Sequence, residues 1–328
     1  MRAVLCRQFG SPDLLTVDEC EVPQPGPGHV RVKVRAAGVN FPDMLMVEGK
    51  YQLKPDLPFS PGSEFSGIVE AVGDGVVGFD PGMAVLGTVP FGAFAEQAVV
   101  PAATLMRLPA STDPLTGSVF ATAYGTGIHA LKQRANLRPG ETLLVLGAGG
   151  GVGRAAVEIG KAMGATVIAA ASTPEKLEIA RAAGADHLIN YAETSLKEQV
   201  KELTRGKGVD VACDPVGGEL LEEALRATGW AGRVLTIGFT SGTIPRIPAN
   251  IVLLKANALV GVHYGPFQKN FPELNRQNFA QLFAWHQEGK LKPLISRTFA
   301  LSDAGEALRL LADRKVMGKI VIDLEGKA

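Results

Sequence analysis

A glycine-rich turn that joins a buried strand to a helix is the feature that most constrains the fold of this chain. The apolar run Leu143-Leu-Val-Leu is followed by Gly147-Ala-Gly-Gly-Gly-Val-Gly153 and then by a helical pattern. Such a turn lets backbone N–H groups approach a pyrophosphate, whose charge is favoured by the positive end of the helix. Ala148 stands at the first position of the strict G-x-G-x-x-G spacing, so Gly147 supplies a G-x-x-G-x-x-G variant. A strand–helix connection that binds nothing can have the same glycine pattern, so the elements around the turn are needed to distinguish it from a pyrophosphate-binding turn.

The turn stands inside a long alternation of apolar strands and helical patterns. We predict strands at Thr142–Leu146, Thr166–Ala170, His187–Ile189, Val209–Cys213 and Arg233–Ile237. Between and before them we predict helices at Ile128–Ala135, Val152–Met163, Pro174–Ala183 and Leu196–Thr204. Such an alternation predicts a doubly wound α/β fold with a parallel sheet, which favours the pyrophosphate interpretation of the turn.

The remainder of the chain predicts a second lobe. Up to about residue 110, short runs such as Val30–Ala36 and Gly67–Val72 are broken by Pro-Gly turns and predict an all-β lobe. After His263 we predict helices at Phe271–Glu288 and Ala304–Arg314 and a last strand at Lys319–Asp323, which we expect to return to that lobe. A length of 328 residues fits two domains, because single cores stop growing at roughly 250 to 300 residues.

Charge and cysteine content exclude several classes of function. Lys plus Arg and Asp plus Glu both total 33, so no excess of positive charge favours nucleic acid as a partner. The three cysteines lack the close paired spacing of a structural zinc site. The N-terminus lacks an apolar signal segment, and no apolar run is long enough to span a membrane. We therefore expect a reduced, cytoplasmic protein.

The end of the strand after the turn indicates which dinucleotide binds. An NAD enzyme usually has Asp or Glu about 20 residues past the turn, where it binds the ribose 2′-hydroxyl. Here the strand ends Ala169-Ala-Ala171-Ser172-Thr173, with Lys176 one helical turn later. Ser172 and Lys176 offer a hydroxyl and a cation to a 2′-phosphate, although Lys176 is also an ordinary first-turn lysine and Glu175 stands beside it. The pattern favours NADP (NADPH) over NAD.

Several stretches together resemble one enzyme family. They are Ala37-Gly-Val-Asn40-Phe-Pro-Asp43, Tyr51-Gln-Leu-Lys-Pro, Phe59 to Gly73, Gly125-Thr126, the glycine turn, Gly184-Ala-Asp186 to Tyr191, and Gly208-Val-Asp210 with Asp214-Pro-Val-Gly217. The chain resembles the medium-chain dehydrogenase/reductases in their zinc-free quinone oxidoreductase, or zeta-crystallin-like, branch. The resemblance implies a GroES-like β-rich catalytic domain over residues 1–122, an NADP-binding Rossmann domain over 123–265, and a C-terminal part, 266–328, that returns to the catalytic domain.

The resemblance also implies the site residues. Asn40, Asp43 and Tyr51 match positions that line the family's cleft near the nicotinamide, and Thr126 matches a threonine beside the ring. Asn40 can instead be a turn residue, Tyr51 a lid side chain and His263 a surface histidine. The implied cofactor-binding residues are Gly150, Gly151, Val152 and Gly153 at the pyrophosphate, Ser172, Lys176 and Tyr191 at the adenosine phosphate, and Gly238, Phe239, Thr240, Val262, His263 and Tyr264 at the ribose and nicotinamide.

No metal site is expected. Zinc-dependent relatives place a Cys near residues 40–43, a Gly-His-Glu where this chain has Gly62-Ser63-Glu64, and a four-cysteine loop after the first lobe. None of these zinc-binding Cys or His ligands is present. Alcohol dehydrogenation, which needs a Lewis acid at the oxygen, becomes improbable.

The expected reaction is hydride transfer from NADPH to a quinone or a similar electron-poor acceptor, followed by protonation. Tyr51, Asp43 and bound water remain open as proton sources. One alternative is an NADPH-dependent reductase of enoyl-CoA esters or enones, and another is a nucleotide- or RNA-binding protein without turnover. The resemblance further implies a homodimer, in which the edge of the apolar strand Asn257–Val262 pairs with its symmetry mate. The alternative for this strand is a place inside the sheet.

Overall fold

A computed structural model describes residues 1–326. The chain divides into two compact units. The first contains Met1–Thr122, Gln268–Arg276 and the C-terminal segment from Pro293, and the second contains Ala123–Phe267 and Gln277–Lys292.

The first unit is built on a mixed sheet. A small two-stranded sheet joins β1 (Arg2–Leu5) to β2 (Thr16–Glu19). The strands of the main sheet are β3 (His29–Gly38), β4 (Glu64–Val72), β5 (Ala84–Thr88), β6 (Gln97–Pro101), β7 (Leu105–Arg107), β14 (Ile295–Phe299) and β15 (Lys319–Asp323). Their order is β14-β15-β3-β4-β5-β7, with β6 paired to β3.

Alternation along β3 buries one face of this sheet. Val30, Val32 and Val34 are all buried in the core of the unit, as the alternating pattern predicts. The last strand, β15, pairs antiparallel with β3, so that Val321 lies opposite Gly38. The C-terminal segment therefore completes the sheet that the N-terminal residues begin.

The prediction of an all-β lobe up to about residue 110 is wrong at one place, where the helix α1 (Phe41–Val47) forms. The first unit also contains α2 (Pro114–Gly117) and α11 (Ala304–Ala312), and α11 confirms the helix predicted at Ala304–Arg314. Helix α1 begins after Asn40, whose backbone N–H donates to the side chain of Asp43 over 2.8 Å. An Asx residue followed three positions later by an acid, with Pro42 in the first turn, is a helix-start pattern that the short apolar run concealed.

The second unit is a doubly wound parallel sheet, which confirms the predicted fold class. Its order is β10-β9-β8-β11-β12-β13, and every adjacent pair is parallel. The strands are β8 (Thr142–Leu146), β9 (Thr166–Ala171), β10 (His187–Asn190), β11 (Val209–Asp214), β12 (Thr228–Thr236) and β13 (Ala258–Gly261). Strand β13 lies at one edge of this sheet and not inside it.

The remaining helices, of which α3, α9 and α10 each have residues in both units, differ from the prediction in number and in one start. They are α3 (Phe120–Ile128), α4 (Gly151–Ala162), α5 (Pro174–Ala182), α6 (Leu196–Leu203), α7 (Glu219–Ala227), α8 (Ala249–Lys255), α9 (Tyr264–Asn270) and α10 (Pro272–Gln287). Helices α7, α8 and α9 are not predicted from the sequence. The helix before β8 is predicted to start at Ile128, whereas α3 begins at Phe120 and continues as a π-helical turn over His129–Arg134.

The early start of α3 has a packing cause. Gly125 and Gly127 lower helix propensity, which hides the helix in the sequence. A β-carbon on Gly125 would lie 2.3 Å from the hydroxyl oxygen of Tyr264, and one on Gly127 would lie 2.9 Å from Cδ1 of Ile159. Both glycines therefore admit neighbouring side chains to the helix surface, and this packing outweighs propensity.

Candidate active site

The backbone of the turn after β8 depends on two of its glycines. Gly147 adopts a φ of +58°, and its carbonyl oxygen accepts a hydrogen bond of 3.0 Å from the N–H of Gly150. A β-carbon on Gly153 would lie 2.2 Å from that same carbonyl oxygen. Gly147 and Gly153 are therefore both required, which explains the variant spacing of the glycines.

The N-terminus of α4 offers free donors at this turn. Gly151, Val152 and Gly153 form the first helical turn, whose N–H groups have no partner four residues back within the helix. This first turn carries no acidic side chain. A β-carbon on Gly150 would meet only the Gly147 carbonyl, at 3.5 Å, so the surface of the turn is open. Open N–H groups at a helix N-terminus are suited to binding an anion.

Lys176 lies directly beside the turn. A β-carbon on Gly149 would lie 2.6 Å from Cβ of Lys176, so the stem of the lysine packs on the turn. Ser172 follows the end of β9, and the N–H of Tyr191 donates to the carbonyl of Ala171 over 3.1 Å. Ser172, Lys176 and Tyr191 thus follow the carboxyl ends of β9 and β10, and their role at the adenosine phosphate stays a prediction.

The last predicted segments follow β12 and β13 at the same edge of the sheet. The hydroxyl of Thr240 donates to the carbonyl of Pro215 over 3.1 Å, which ties Gly238, Phe239 and Thr240 to the loop after β11. Carboxyl ends of parallel strands are the usual place for ligands in such sheets.

The three predicted residues that follow β13, which are Val262, His263 and Tyr264, differ in exposure. Val262 and Tyr264 are buried and His263 is exposed, as its alternative interpretation as a surface histidine requires. The Tyr264 hydroxyl approaches Gly125, next to the buried Thr126.

A buried carboxylate closes the loop after β11. Oδ1 of Asp214 accepts hydrogen bonds from the N–H groups of Val216 and Gly217, at 2.7 and 2.9 Å. Burial raises the pKa of Asp214 to about 6, against the lowering effect of these two donors. These hydrogen bonds to Asp214 stabilise the loop after β11, whose Pro215 carbonyl accepts from Thr240.

In the first unit, Asn40 stands at the centre of a buried polar cluster. Its side-chain nitrogen donates to Oε1 of Glu64 over 2.9 Å, and its side-chain oxygen accepts from Nζ of Lys319 over 2.6 Å. Lys319 also donates to the same Glu64 oxygen over 2.6 Å. The other Glu64 oxygen accepts from the N–H of Thr122 over 2.7 Å. Asn40 is therefore more than a turn residue, because it connects two buried charges.

Asp43 adjoins this cluster and is 1% exposed. Burial raises its pKa to about 7, and Glu64 raises it further, while Ser63, the Asn40 N–H and Lys319 lower it. Tyr51 is half-buried nearby, and burial and the charge of Asp43 both raise the pKa of its phenol. The arrangement can hold a proton on a carboxyl group at neutral pH.

Three members of this cluster were missed by sequence reasoning as site residues. Ser63 and Glu64 were noted only for the zinc ligands that they do not supply, and Lys319 was noted only as the start of a strand. A lysine that begins the apolar run Lys319-Ile-Val-Ile resembles a solvated strand end. Lys319 is instead 7% exposed, and a charge buried to this degree needs partners.

The predicted catalytic residues divide between the units. Asn40, Asp43 and Tyr51 lie in the first unit and Thr126 lies in the second, together with the predicted cofactor residues. Within residues 1–326, no group of three or more His, Cys, Asp or Glu side chains is placed to hold a metal ion. No helix in this range is long and apolar enough to cross a membrane.

Two family models match the chain. Residues 26–110 match the alcohol dehydrogenase GroES-like domain, and residues 151–280 match the zinc-binding dehydrogenase family. The two matches fall on the sheet of the first unit and on the parallel sheet of the second.

Similar proteins cover nearly the whole chain. A quinone oxidoreductase-like protein 2 homolog from Nematostella vectensis is 40% identical over 98% of this chain and 88% of its own length. The structure of Escherichia coli quinone oxidoreductase complexed with NADPH superposes with a TM-score of 0.92 at 28% identity, over 99% of this chain and 100% of that one. A 2-haloacrylate reductase structure superposes with a TM-score of 0.88 at 30% identity, over 99% and 100% of the two chains.

Proposed function

We propose that this chain, which belongs to the medium-chain dehydrogenase/reductase family and to its quinone oxidoreductase branch, is an NADPH-dependent oxidoreductase that reduces a quinone or a similar electron-poor acceptor. The observation that carries the proposal is the contact of the Lys176 stem with Gly149. This contact supports the proposal because the stem of a lysine lies beside a turn that is suited to a phosphate, after a strand whose end carries no acid.

The residues around the turn fit an NADPH molecule. The open N–H groups of Gly151, Val152 and Gly153 suit the pyrophosphate, and Lys176, Ser172 and Tyr191 suit the 2′-phosphate and the adenosine. Gly238, Phe239 and Thr240 with Val262, His263 and Tyr264 extend the same edge of the sheet toward the buried Thr126. NADPH supplies a hydride when bound, and the chain positions the reactants and excludes water.

We propose that this activity needs no metal ion. Ser63 stands where zinc-dependent relatives have a histidine ligand, and a serine hydroxyl is not one of the Cys, His and carboxylate groups that bind zinc in proteins. Neighbouring Asn40 and Glu64 are both joined to Lys319, a cation that would repel a zinc ion. Full turnover after exhaustive EDTA treatment is the expected result. Stoichiometric zinc in elemental analysis, lost together with turnover, would refute it.

A second candidate function is the reduction of an activated carbon–carbon double bond. The likeness to a 2-haloacrylate reductase over nearly the full length of both chains supports it. The same cofactor residues would serve both reactions, and only the acceptor differs. An NADPH oxidation screen against quinones, enones and enoyl-CoA esters tests both candidates. Exclusive turnover of the double-bond substrates would replace the first candidate by the second.

We propose further that two copies associate through the edge strand β13. Its Leu259 is 43% exposed, and Trp230, Leu253 and Leu254 are each more than 70% exposed in the same unit. An unpaired strand edge with apolar neighbours is suited to pairing with its symmetry mate across a two-fold axis.

The three free cysteines favour a reducing, cytoplasmic location.

A further inference from the structure

In the second unit, the loop after β11 joins the glycine turn to the loop after β12. The carbonyl of Pro215 accepts from the N–H of Thr240 over 3.3 Å, and the carbonyl of Val216 accepts from the N–H of Ser241 over 2.9 Å. On the other side, a β-carbon on Gly147 would lie 2.9 Å from Cγ2 of Val216. The strand order of the sheet reverses between β8 and β11, which is the usual place for a ligand in such sheets.

Asp214, the last residue of β11, holds the backbone of this loop. Its Oδ1 atom accepts from the N–H groups of Val216 and Gly217, over 2.7 and 2.9 Å, and its side chain is 0% exposed. Two backbone donors on one oxygen fix the direction in which the chain leaves the strand. Asp214 therefore holds Val216 against the glycine turn.

The other carboxyl oxygen of Asp214, Oδ2, is buried and has no hydrogen-bond partner among residues 1–326. Thr236 stands opposite Asp214 in the parallel pairing of β11 with β12, so both side chains leave the sheet on the same face. Oγ1 of Thr236 is likewise buried without a hydrogen-bond partner in that range. A buried ionised oxygen without a donor is costly, whereas a proton on Oδ2 removes the charge and leaves both hydrogen bonds to Oδ1 in place.

Burial is the largest effect on the ionisation of Asp214. It raises the pKa to about 6, against the two N–H donors, and burial and the charge of Asp214 both raise the pKa of the adjacent Cys213 thiol. On β11 itself, the Asp210 carboxyl accepts from the N–H of Thr142. The elements packed against β11 are β8, β12, α4 and α7. Their charged side chains are Arg154 paired with Glu158, Lys161 paired with Asp186, Arg233 paired with Glu141, Glu222 paired with Arg226, and Glu219 and Glu223 of α7.

We propose that Asp214 is a positioning residue for NADPH, and that it holds its loop as a neutral carboxylic acid, with the proton on Oδ2, when the dinucleotide is bound. The inference rests on the proposed use of NADPH. Because Val216 lies against the turn that suits the pyrophosphate, a bound anion opposes a negative charge on Asp214. An ionised Asp214 then takes up one proton from solvent as the dinucleotide binds.

This proton gives NADPH binding a defined pH dependence. The pKa of Asp214 is about 6 in the free protein, and a bound anion raises it. The contribution to affinity is therefore full below about pH 6 and is lost as the pH rises through the raised value. A rise of one pKa unit corresponds to a roughly tenfold fall in affinity across this window.

Two variants separate the proton from the loop. In Asp214→Asn the side-chain oxygen can still accept both N–H groups, and the amide nitrogen replaces the protonated Oδ2. We expect it to bind NADPH as the parent does at pH 6 and to lack the fall in affinity up to pH 8. The parent and this variant share the titration of the 2′-phosphate, whose pKa is also about 6, so their difference isolates Asp214. Asp214→Ala should weaken NADPH binding roughly 10-fold or more at every pH, because two buried N–H groups lose their acceptor.

Calorimetry in buffers of different ionisation enthalpy counts the protons taken up on NADPH binding to the full-length protein. At pH 6.5 the parent should take up about half a proton more per site than Asp214→Asn. Asp210→Asn is the matched control, because Asp210 is exposed and its carboxyl binds the Thr142 N–H at the amino end of the sheet. It should leave the proton uptake unchanged.

Carbon-13 NMR of the aspartate carboxyl groups, with Asp214→Asn to assign the resonance, should show NADPH raising the pKa of Asp214. Equal proton uptake by the parent and Asp214→Asn, a titration that NADPH does not move, or NADPH affinity that Asp214→Ala leaves intact overturns this inference and leaves the proposed function standing. A parent protein that does not bind NADPH overturns both.

Discussion

Lys319, in the last strand of the first unit, donates a 2.6 Å hydrogen bond to Glu64, which lies 255 residues earlier in the chain. Both side chains are at most 8% exposed, so neither charge is compensated by water. Removing one member of a buried ion pair leaves the other charge uncompensated, which is far more costly than losing a surface pair.

We therefore expect Lys319→Met to lower the free energy of unfolding by about 3 to 5 kcal/mol. The control is Lys315→Met, four residues earlier, whose exposed pair with Asp313 should contribute less than about 1 kcal/mol. Urea denaturation at neutral pH measures both. Equal, small effects of the two substitutions would show that Lys319 does not bear the buried charge.

The raised pKa of Asp43 gives a defined pH dependence of stability. Its folded value is about 7 and its ordinary value is 3.8, so the folded state holds a proton that the unfolded state releases between these values. This contribution to stability is full below pH 4 and is lost as the pH rises through 7. The parent should lose about 1.4 kcal/mol more per pH unit than Asp43→Asn across this window. Parallel pH profiles would contradict the buried, protonated carboxyl.

Lys176→Ala should weaken NADPH binding selectively. A charge-assisted contact with phosphate contributes about 1.5 to 3 kcal/mol, or roughly 10- to 150-fold in the dissociation constant. NADH affinity should change little, because NADH lacks the 2′-phosphate. Lys207→Ala is the control. Lys207 is exposed and precedes β11, so it lies at the amino ends of the strands, whereas Lys176 follows the carboxyl end of β9. Isothermal titration calorimetry measures the dissociation constants of NADPH and NADH for each variant. An equal loss of affinity for both cofactors would show that Lys176 does not bind the 2′-phosphate.

If two copies pair through β13 as proposed, Val260→Asp should yield a monomer, because it sets a charge on each side of the two-fold contact. Val77→Asp is the control, since Val77 is 88% exposed and lies in the first unit. Light scattering at micromolar concentration measures the mass. A monomeric parent protein would end this proposal.

The parallel sheet is predictable from the sequence, whereas the polar cluster around Asn40 is not. Strands such as β8 and β9 are continuous apolar runs after their first threonine, and few other folds fit their alternation with helices. The cluster depends on Lys319, whose partners lie more than 250 residues away and leave no local pattern. The start of helix α3 is not predictable for a related reason. Gly125 is needed in this helix because the hydroxyl of the distant Tyr264 packs against it, and no local pattern indicates that contact.

The most direct test of the account is NADPH oxidation by a quinone, compared with NADH oxidation, in the purified protein. We expect one NADPH to be consumed for each quinone reduced, with kcat/KM at least about 10-fold higher for NADPH than for NADH, since the phosphate contact is lost with NADH. Equal use of the two cofactors would contradict the assignment of Lys176 and Ser172 to the 2′-phosphate. The absence of oxidation of either cofactor by any quinone or enone would contradict the proposed function itself.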